Sequence, residues 1–167
     1  MADPIEEELL NYEAVEDVPD QDVKSDKSSK VGKGYVATHS QTFRDFLLIP
    51  ELMRAIQHNA FEHPSEVQAE AIPRALFGND IICQGQSGMG KTAVFVLSIL
   101  NQLDVEGEVA ALVIAPSREL AYQIGDEFNR FSRFMKNVST VCIYGGMPKA
   151  TQTDLLRSRK PNIVIAT

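Results

Sequence analysis

Apolar positions alternate along the chain between short continuous runs and helically spaced stretches from residue 80 to the end. The continuous runs predict strands over residues 80–84, 109–115, 138–144 and 163–166. The spaced stretches between them predict helices over residues 91–103, 118–135 and 149–157. Strands that lack polar alternation and are separated by helices are typical of a parallel sheet covered on both faces. The pattern therefore predicts an α/β fold.

Two further helices are predicted upstream of the first strand. Residues 50–59 have Pro50 in the first turn and an apolar face, which indicates a short helix. Ser65 and Gln68 have the spacing of a capping box, so a second helix is expected from about residue 65 to residue 77. Gly78 is its natural end, whereas Pro73 inside the span argues against an unbroken helix.

Charge divides the chain into a tail and a neutral remainder. The net charge is -7, and residues 1–30 hold ten acidic and three basic side chains, which accounts for all of it (3 − 10 = −7). Residues 1–34 therefore read as an acidic disordered tail. The tail is either a solvated extension without a role or, through the apolar residues 9–13, a docking peptide. The neutral remainder neither excludes nor indicates nucleic-acid binding.

Other bulk features exclude some classes of protein. No apolar run approaches the roughly 20 residues that span a bilayer, and the N-terminus has no signal-peptide pattern, so no membrane association is expected. Cys83 and Cys142 both lie in apolar, strand-like runs. We interpret them as reduced core residues of a cytosolic or nuclear protein.

A glycine-rich loop between the first predicted strand and the next helix carries the strongest chemical signal. The loop matches the pattern G-x-x-x-x-G-K-T and consists of Gly85, Gln86, Ser87, Gly88, Met89, Gly90, Lys91 and Thr92. Its glycines allow several backbone N–H groups to point at one anion, Lys91 supplies positive charge for the outer phosphates, and the Thr92 hydroxyl can ligate Mg²⁺. The helix that follows adds the positive end of its dipole. A glycine-rich turn without a ligand is the alternative.

Hydrolysis also needs a carboxylate at the end of another strand. The other apolar runs continue into Pro116, Gly145 and Thr167, and none of them ends in an acidic residue. The sequence also stops at the end of a predicted strand, with no helix to cover it. We therefore expect the sheet to be incomplete at its C-terminal side.

Three segments placed around this loop resemble motifs of one family. Residues 61–68 read Phe-Glu-His-Pro-Ser-Glu-Val-Gln, residues 115–121 read Ala-Pro-Ser-Arg-Glu-Leu-Ala, and residues 145–146 are a glycine pair. With the loop, they resemble the N-terminal half of a DEAD-box RNA helicase over residues 35–167. The resemblance implies a RecA-like fold, with a Q-motif region at 35–69 and the first part of the helicase ATP-binding domain at 70–167.

The resemblance also implies roles for individual residues. Gln68 would read the edge of adenine, an aromatic ring at Phe43 or Phe46 would pack on the base, and Phe61 opens the same segment. ATP and Mg²⁺ are then the implied cofactors, with Lys91 and Thr92 as the catalytic pair. RNA backbone contacts would fall on Pro116, Ser117, Arg118, Glu119, Gly145, Gly146 and Thr167.

Each of these roles has a structural alternative. Gln68 can be a helix-capping residue with no ligand, or can cap and bind together. Arg118 and Glu119 can be the solvated start of a helix, where the dipole favours the acid. Gly145 and Gly146 can form a plain turn.

The match extends to a subfamily that acts in spliceosome assembly and mRNA export. The stretches 9–13, 34–40 and 43–48 resemble it, whereas Gly85 and Gln86 differ from the Ala and Lys usual there. The resemblance implies a nuclear protein, with shuttling to the cytoplasm, and splicing and mRNA-export proteins as partners.

Three functions follow from these observations. The leading one is an RNA-dependent ATPase that remodels RNA duplexes or RNA–protein complexes. The second is a non-catalytic product, a truncated isoform or gene-model fragment, that binds partners without hydrolysing ATP. In that case the 167-residue chain is expected to be marginally stable, because the resemblance implies a RecA-like sheet in which both neighbours of the first strand follow residue 167. The third is a different P-loop protein, such as a small kinase or a transport ATPase.

Overall fold

The computed structural model describes residues 41–104 and 109–167. The tail predicted for residues 1–34, its apolar residues 9–13 and the stretch 34–40 lie outside the described residues. The fold begins with a 3₁₀ turn at Phe43–Asp45. The elements that follow are α1 Pro50–His58, α2 Glu66–Leu76, α3 Lys91–Gln102, β1 Ala111–Ile114, α4 Arg118–Phe131, β2 Thr140–Ile143, α5 Lys149–Arg159 and β3 Ile163–Ala166.

The three strands form one parallel sheet, as the sequence pattern predicts. Their order is β1-β3-β2, with Val113 and Cys142 opposite Ile165 on either side. Each strand runs for four residues and is followed by a helix or by the end of the described chain. Parallel strands joined in this way bring their carboxyl ends to one edge of the sheet. Residues that follow β1, β2 and β3 therefore lie close together.

One face of the sheet packs on a shared apolar core. Ile163 and Ile165 on this face are fully buried, together with Phe128 and Phe131 of α4 and Leu97 of α3. Gly125 of α4 lies directly against the sheet, because a Cβ built there would stand 2.8 Å from Cys142 Sγ. That distance is shorter than carbon and sulfur atoms tolerate, so the close approach of α4 to the sheet requires glycine at position 125.

The opposite face of the sheet is covered unevenly. Val141 and Val164 are buried on this face, whereas Leu112 and Ile114 of β1 are exposed, by 61% and 74%. The outer edge of β1 also lacks a ladder partner among the described residues. The outer edge of β2 has no ladder partner among these residues either, so both sides of the sheet are open there, in agreement with the expected incomplete sheet.

The prediction of a strand over residues 80–84 is wrong. The segment has no regular secondary structure, Ile82 is fully exposed, and Cys83 is exposed rather than part of the core. A strand exists only where another strand pairs with it, and no described residue pairs with this segment. Cys142, in contrast, is half-buried, and burial raises the pKa of its thiol.

The helix signals are confirmed with small shifts of their ends. Ser65 Oγ accepts from the N–H of Gln68, and the Gln68 side chain accepts from the N–H of Ser65, which completes the capping box of α2. Pro73 is accommodated inside α2, and Gly78 follows its end with φ of +77°. The fourth helix ends at Phe131, four residues before its predicted end. No helix within the described ranges combines the length and the apolar character needed to cross a membrane.

Candidate functional site

The glycine-rich loop forms the entry to α3. Gly90 is the residue before the first turn of α3 and has φ of +78°, and Gly88 has φ of +84°. Both values lie in the left-handed region that favours glycine. The loop therefore curls back over the start of the helix, as the phosphate-binding pattern requires.

The loop carries several hydrogen-bond donors. Apart from the turn at Ser87 and Gly88, the hydrogen bonds between described residues use none of the backbone N–H groups of residues 86–92. Lys91 Nζ lies inside the curve and donates to the carbonyl oxygens of Gly85 at 2.6 Å and Gln86 at 2.5 Å. An ammonium group, free N–H groups and a helix N-terminus together make an anion-binding site. The residues present thus fit a polyphosphate.

The capping box of α2 is joined to this loop. Gln68 Nε2 donates to Gly90 O at 3.2 Å, and Ser65 Oγ donates to Met89 O at 2.8 Å. Gln68 is only 3% exposed, and a Cβ added at Gly90 would collide with its amide nitrogen. Gln68 is therefore more than a helix cap, because it also holds the backbone of the loop. Contact with adenine stays a prediction.

The aromatic residues proposed for the base lie beside one another. Phe43 and Phe46 pack edge to face at 5.7 Å between ring centroids, and Phe43 packs on Phe61 at 6.1 Å. Phe43 and Phe46 are buried at 3% and 4% exposure, so neither offers a free ring face. Phe61 is half-buried and has the Arg130 guanidinium 5.5 Å from its ring centroid.

Sequence reasoning missed the contribution of α4 to this site. A cavity of about 720 Å³ lies between the loop and α4. Its lining includes Phe61, Lys91, Thr92, Gln123, Glu127 and Arg130. Positions 123, 127 and 130 are spaced as one helical face, which is the signal that the sequence offered. The spacing alone did not say that this face lies opposite the loop.

The residues assigned to RNA are brought together at the carboxyl edge of the sheet. A cavity of about 430 Å³ is lined by Pro116, Ser117, Arg118, Glu119, Gly145 and Thr167. The Thr167 hydroxyl lies 3.4 Å from the N–H of Gly145, which donates to it. A Cβ at Gly146, where φ is +94°, would stand 3.1 Å from Arg118 Nη2. The glycine pair therefore forms a turn, closed by the N–H of Met147 donating to Tyr144 O, and the Arg118 guanidinium lies against it.

Hydrogen bonds at the start of α4 favour the ionised form of the Glu119 carboxyl. Ser117 is the N-cap and accepts from the N–H of Leu120 at 3.2 Å. Backbone hydrogen bonding, supported by the Ser117 side chain and Arg118, lowers the pKa of the exposed Glu119 carboxyl. Glu119 is therefore ionised at neutral pH, one residue away from Arg118.

No ready-made metal site exists within residues 41–104 and 109–167, where no group of three or more His, Cys, Asp or Glu side chains is arranged to hold an ion. Thr92 lies in the first turn of α3 and lines the cavity between the loop and α4. Its hydroxyl is the one metal ligand that the sequence assigned. A magnesium ion here would depend on a nucleotide for most of its ligands, as is usual for this ion.

The fold and the candidate site together define a class of protein. A parallel sheet flanked by helices, with a glycine-rich loop at the start of a helix, is the first part of a RecA-like domain. A solved DEAD box protein from the hyperthermophile Methanococcus jannaschii is similar, with a TM-score of 0.70 and 31% identity over 75% of this chain and 34% of the other. The RNA-helicase Prp28 from Chaetomium thermophilum, bound to ADP, matches with a TM-score of 0.67 and 30% identity over 80% of this chain and 34% of the other.

The family model described as DEAD/DEAH box helicase matches residues 65–167, and the chain belongs to that family. DEAD-box ATP-dependent RNA helicase 56 from Oryza sativa subsp. japonica is 54% identical over 97% of this chain and 38% of its own length. ATP-dependent RNA helicase uap56 from Schizosaccharomyces pombe (strain 972 / ATCC 24843) is 47% identical over 97% of this chain and 41% of its own length. The chain thus spans about two fifths of the length of these relatives.

Proposed function

We propose that this chain binds ATP and RNA as the first part of a DEAD-box RNA helicase, an RNA-dependent ATPase that remodels RNA or RNA–protein complexes. The observation that carries the proposal is the bond from Gln68 Nε2 to Gly90 O. It joins the residue expected to read the base to the loop expected to hold the phosphates. A base reader and a phosphate loop on one rigid frame are what a nucleotide site needs.

ATP is favoured over other nucleotides by the hydrogen-bonding capacity of Gln68. A glutamine amide has two N–H donors and two acceptor lone pairs. Within the described residues, one donor is used by Gly90 O and one lone pair by the N–H of Ser65. One donor and one acceptor then remain, which matches the edge of adenine at N7 and its amino group. Gln68 is only 3% exposed, so adenine reaches these two groups only when the side chains that cover Gln68 move. Phe61 is the aromatic residue of this segment that already lines the cavity.

Lys91 and Thr92 have different roles at the phosphates. Lys91 places a positive charge against the outer phosphates, and the Thr92 hydroxyl would hold a Mg²⁺ ion, which would supply positive charge to the phosphates. The remaining donors are the N–H groups of residues 86–92. These groups bind and orient the nucleotide, while the carboxylate that activates water has no counterpart after β1, β2 or β3, which are followed by Ala115, Tyr144 and Thr167.

RNA is proposed to bind along the carboxyl edge of the sheet through its sugar–phosphate backbone. Arg118 offers an exposed guanidinium at the start of α4, next to the turn of Gly145 and Gly146. Such contacts give affinity without sequence readout. By the subfamily resemblance, we place the protein in pre-mRNA splicing and mRNA export, in the nucleus with shuttling to the cytoplasm, among partners of those pathways.

Replacing Arg118 with Ala is expected to weaken RNA binding and to reduce its salt dependence. Loss of one phosphate contact lowers the slope of log K against log salt by about 0.7 for a single strand. Fluorescence anisotropy of labelled oligouridylate at several salt concentrations measures both quantities. Arg157→Ala, an exposed change on α5, is the matched control and keeps the slope of the unaltered chain. An Arg118→Ala slope equal to that of the control would remove Arg118 from the RNA site.

A non-catalytic binding protein is the second candidate, and one observation favours it. The segment of residues 80–84 ends at the phosphate loop without a strand partner among the described residues, so the loop is held only through α2 and α3. ATP turnover with and without RNA separates the candidates. A chain that binds ATP and RNA without turnover supports the second, and RNA-stimulated turnover supports the first.

A further inference from the structure

A second, smaller cavity continues from the proposed RNA groove. It has a volume of about 410 Å³ and is lined by Arg118, Glu119, Tyr122, Gln123 and Tyr144. Arg118 and Glu119 also line the first cavity, so the two form one continuous surface. An RNA strand that lies on Arg118 can therefore reach the cavity lined by the two tyrosines.

The two tyrosines come from different elements and face one cavity. Tyr122 lies one helical turn after Arg118 on the same side of α4, and Tyr144 follows β2 directly and precedes Gly145. Tyr122 is 62% exposed, and Tyr144 is half-buried. The ring contacts between described residues involve neither of them. The two tyrosine rings are therefore not part of the apolar core.

The charges on this surface favour a phosphate at one position and an uncharged group at the next. The guanidinium of Arg118 attracts a phosphate, whereas the ionised Glu119 beside the tyrosines repels a second one. Glu119 and Gln123 offer acceptor atoms near the rings, which suit the N–H groups of an uncharged base. The surface thus pairs a phosphate contact with a neighbouring position that fits a base.

We propose that Tyr122 and Tyr144 form a base-stacking flank, which holds one unpaired base of the RNA strand whose phosphate is bound by Arg118. The inference rests on the RNA role proposed above and adds to it a contact with a base. Stacking on an aromatic ring is tolerant of base identity, because every base has an aromatic face. The flank therefore selects unpaired over paired RNA without selecting a sequence.

The test uses the full 167-residue chain and two labelled RNAs of equal length. One is oligouridylate and the other carries abasic ribose at every position, so both have the same phosphates. Tyr122→Ala is expected to weaken oligouridylate binding by about tenfold and to leave abasic RNA binding within about twofold. Tyr122→Phe keeps the ring and is expected to bind both RNAs as the unaltered chain does.

Fluorescence of the chain provides a second readout. The sequence has four tyrosines and no tryptophan, so RNA stacking on Tyr122 quenches a measurable part of the emission. Quenching by oligouridylate is expected in the unaltered chain and is reduced in Tyr122→Ala. Circular dichroism melting of each variant checks that this exposed position leaves folding unchanged.

Four outcomes would overturn the proposal, and they are distinguishable. If Tyr122→Ala and the unaltered chain bind oligouridylate equally well, the base-stacking role of Tyr122 is contradicted, and the proposed phosphate contact of Arg118 is unaffected. An equal loss on both RNAs shows that no base is involved. A change in self-association by light scattering, with RNA affinity unchanged, assigns the tyrosines to a contact between copies. Absence of RNA binding by the unaltered chain overturns the proposed RNA role together with the flank.

Discussion

Replacement of Lys91 by Ala is expected to lower the affinity of the chain for Mg–ATP by about ten- to a hundredfold. A hydrogen bond to a charged group contributes about 1.5–3 kcal/mol, which corresponds to this range of affinity. Lys91 Nζ already lies inside the loop, held by the carbonyl oxygens of Gly85 and Gln86. Equilibrium titration with a fluorescent ATP analogue measures the change.

Two controls separate a lost phosphate contact from a damaged fold. Lys149→Ala removes a lysine from the first turn of α5, outside the residues that line the loop cavity, and leaves ATP affinity unchanged. AMP lacks the outer phosphates, so its affinity is expected to be the same in Lys91→Ala and in the unaltered chain. A parallel loss of AMP and ATP affinity, or no loss of either, would contradict the role given to Lys91.

Replacement of Gly90 by Ala is expected to lower both the free energy of unfolding and the affinity for ATP. The residue has φ of +78°, and its added Cβ would collide with the Gln68 amide that donates to Gly90 O. The left-handed conformation costs about 1–2 kcal/mol for a residue with a Cβ, and forced overpacking costs about 1–3 kcal/mol. Urea unfolding, followed by circular dichroism, measures the total.

Gly88→Ala is the matched control for this change. Gly88 has a similar φ of +84°, and a Cβ added there meets nothing within 4 Å. The control therefore carries the conformational cost without the collision and is expected to destabilise less than Gly90→Ala. Adding Gln68→Ala to Gly90→Ala removes the obstructing amide and recovers part of the stability. Equal destabilisation by Gly88→Ala and Gly90→Ala would show that Gln68 does not constrain the loop.

Much of the fold was predictable because its signals are local. The capping box of Ser65 and Gln68 and the continuous apolar run of β3 each depend on residues close together in sequence. Residues 80–84 have the same kind of apolar run and yet form no strand. Pairing decides a strand, and the partner of a parallel strand lies far away in the sequence. A local pattern therefore indicates that a segment suits a sheet, and only the topology says whether a partner is present.

The candidate site divides in the same way. The loop of residues 85–92 and the segment of residues 115–121 were found from spacing, and the structure places each before or at the start of a helix. Other features depend on residues that are distant in sequence. They are the hydrogen bond from Gln68 to Gly90, the burial of Phe43, and the cavity that Tyr122 and Tyr144 line together. These features depend on how α2, α3, α4 and β2 pack. Periodicity along one element does not contain that information.

Competition between ATP and GTP for the 167-residue chain tests the central claim most directly. The donor and the acceptor left on the Gln68 amide fit adenine, whereas guanine would set its O6 acceptor against the amide oxygen. One site that prefers ATP over GTP by about tenfold or more, with the preference reduced in Gln68→Ala, is the predicted result. Equal displacement by both nucleotides, or no binding of either, would contradict the assignment of this loop and Gln68 to an ATP site.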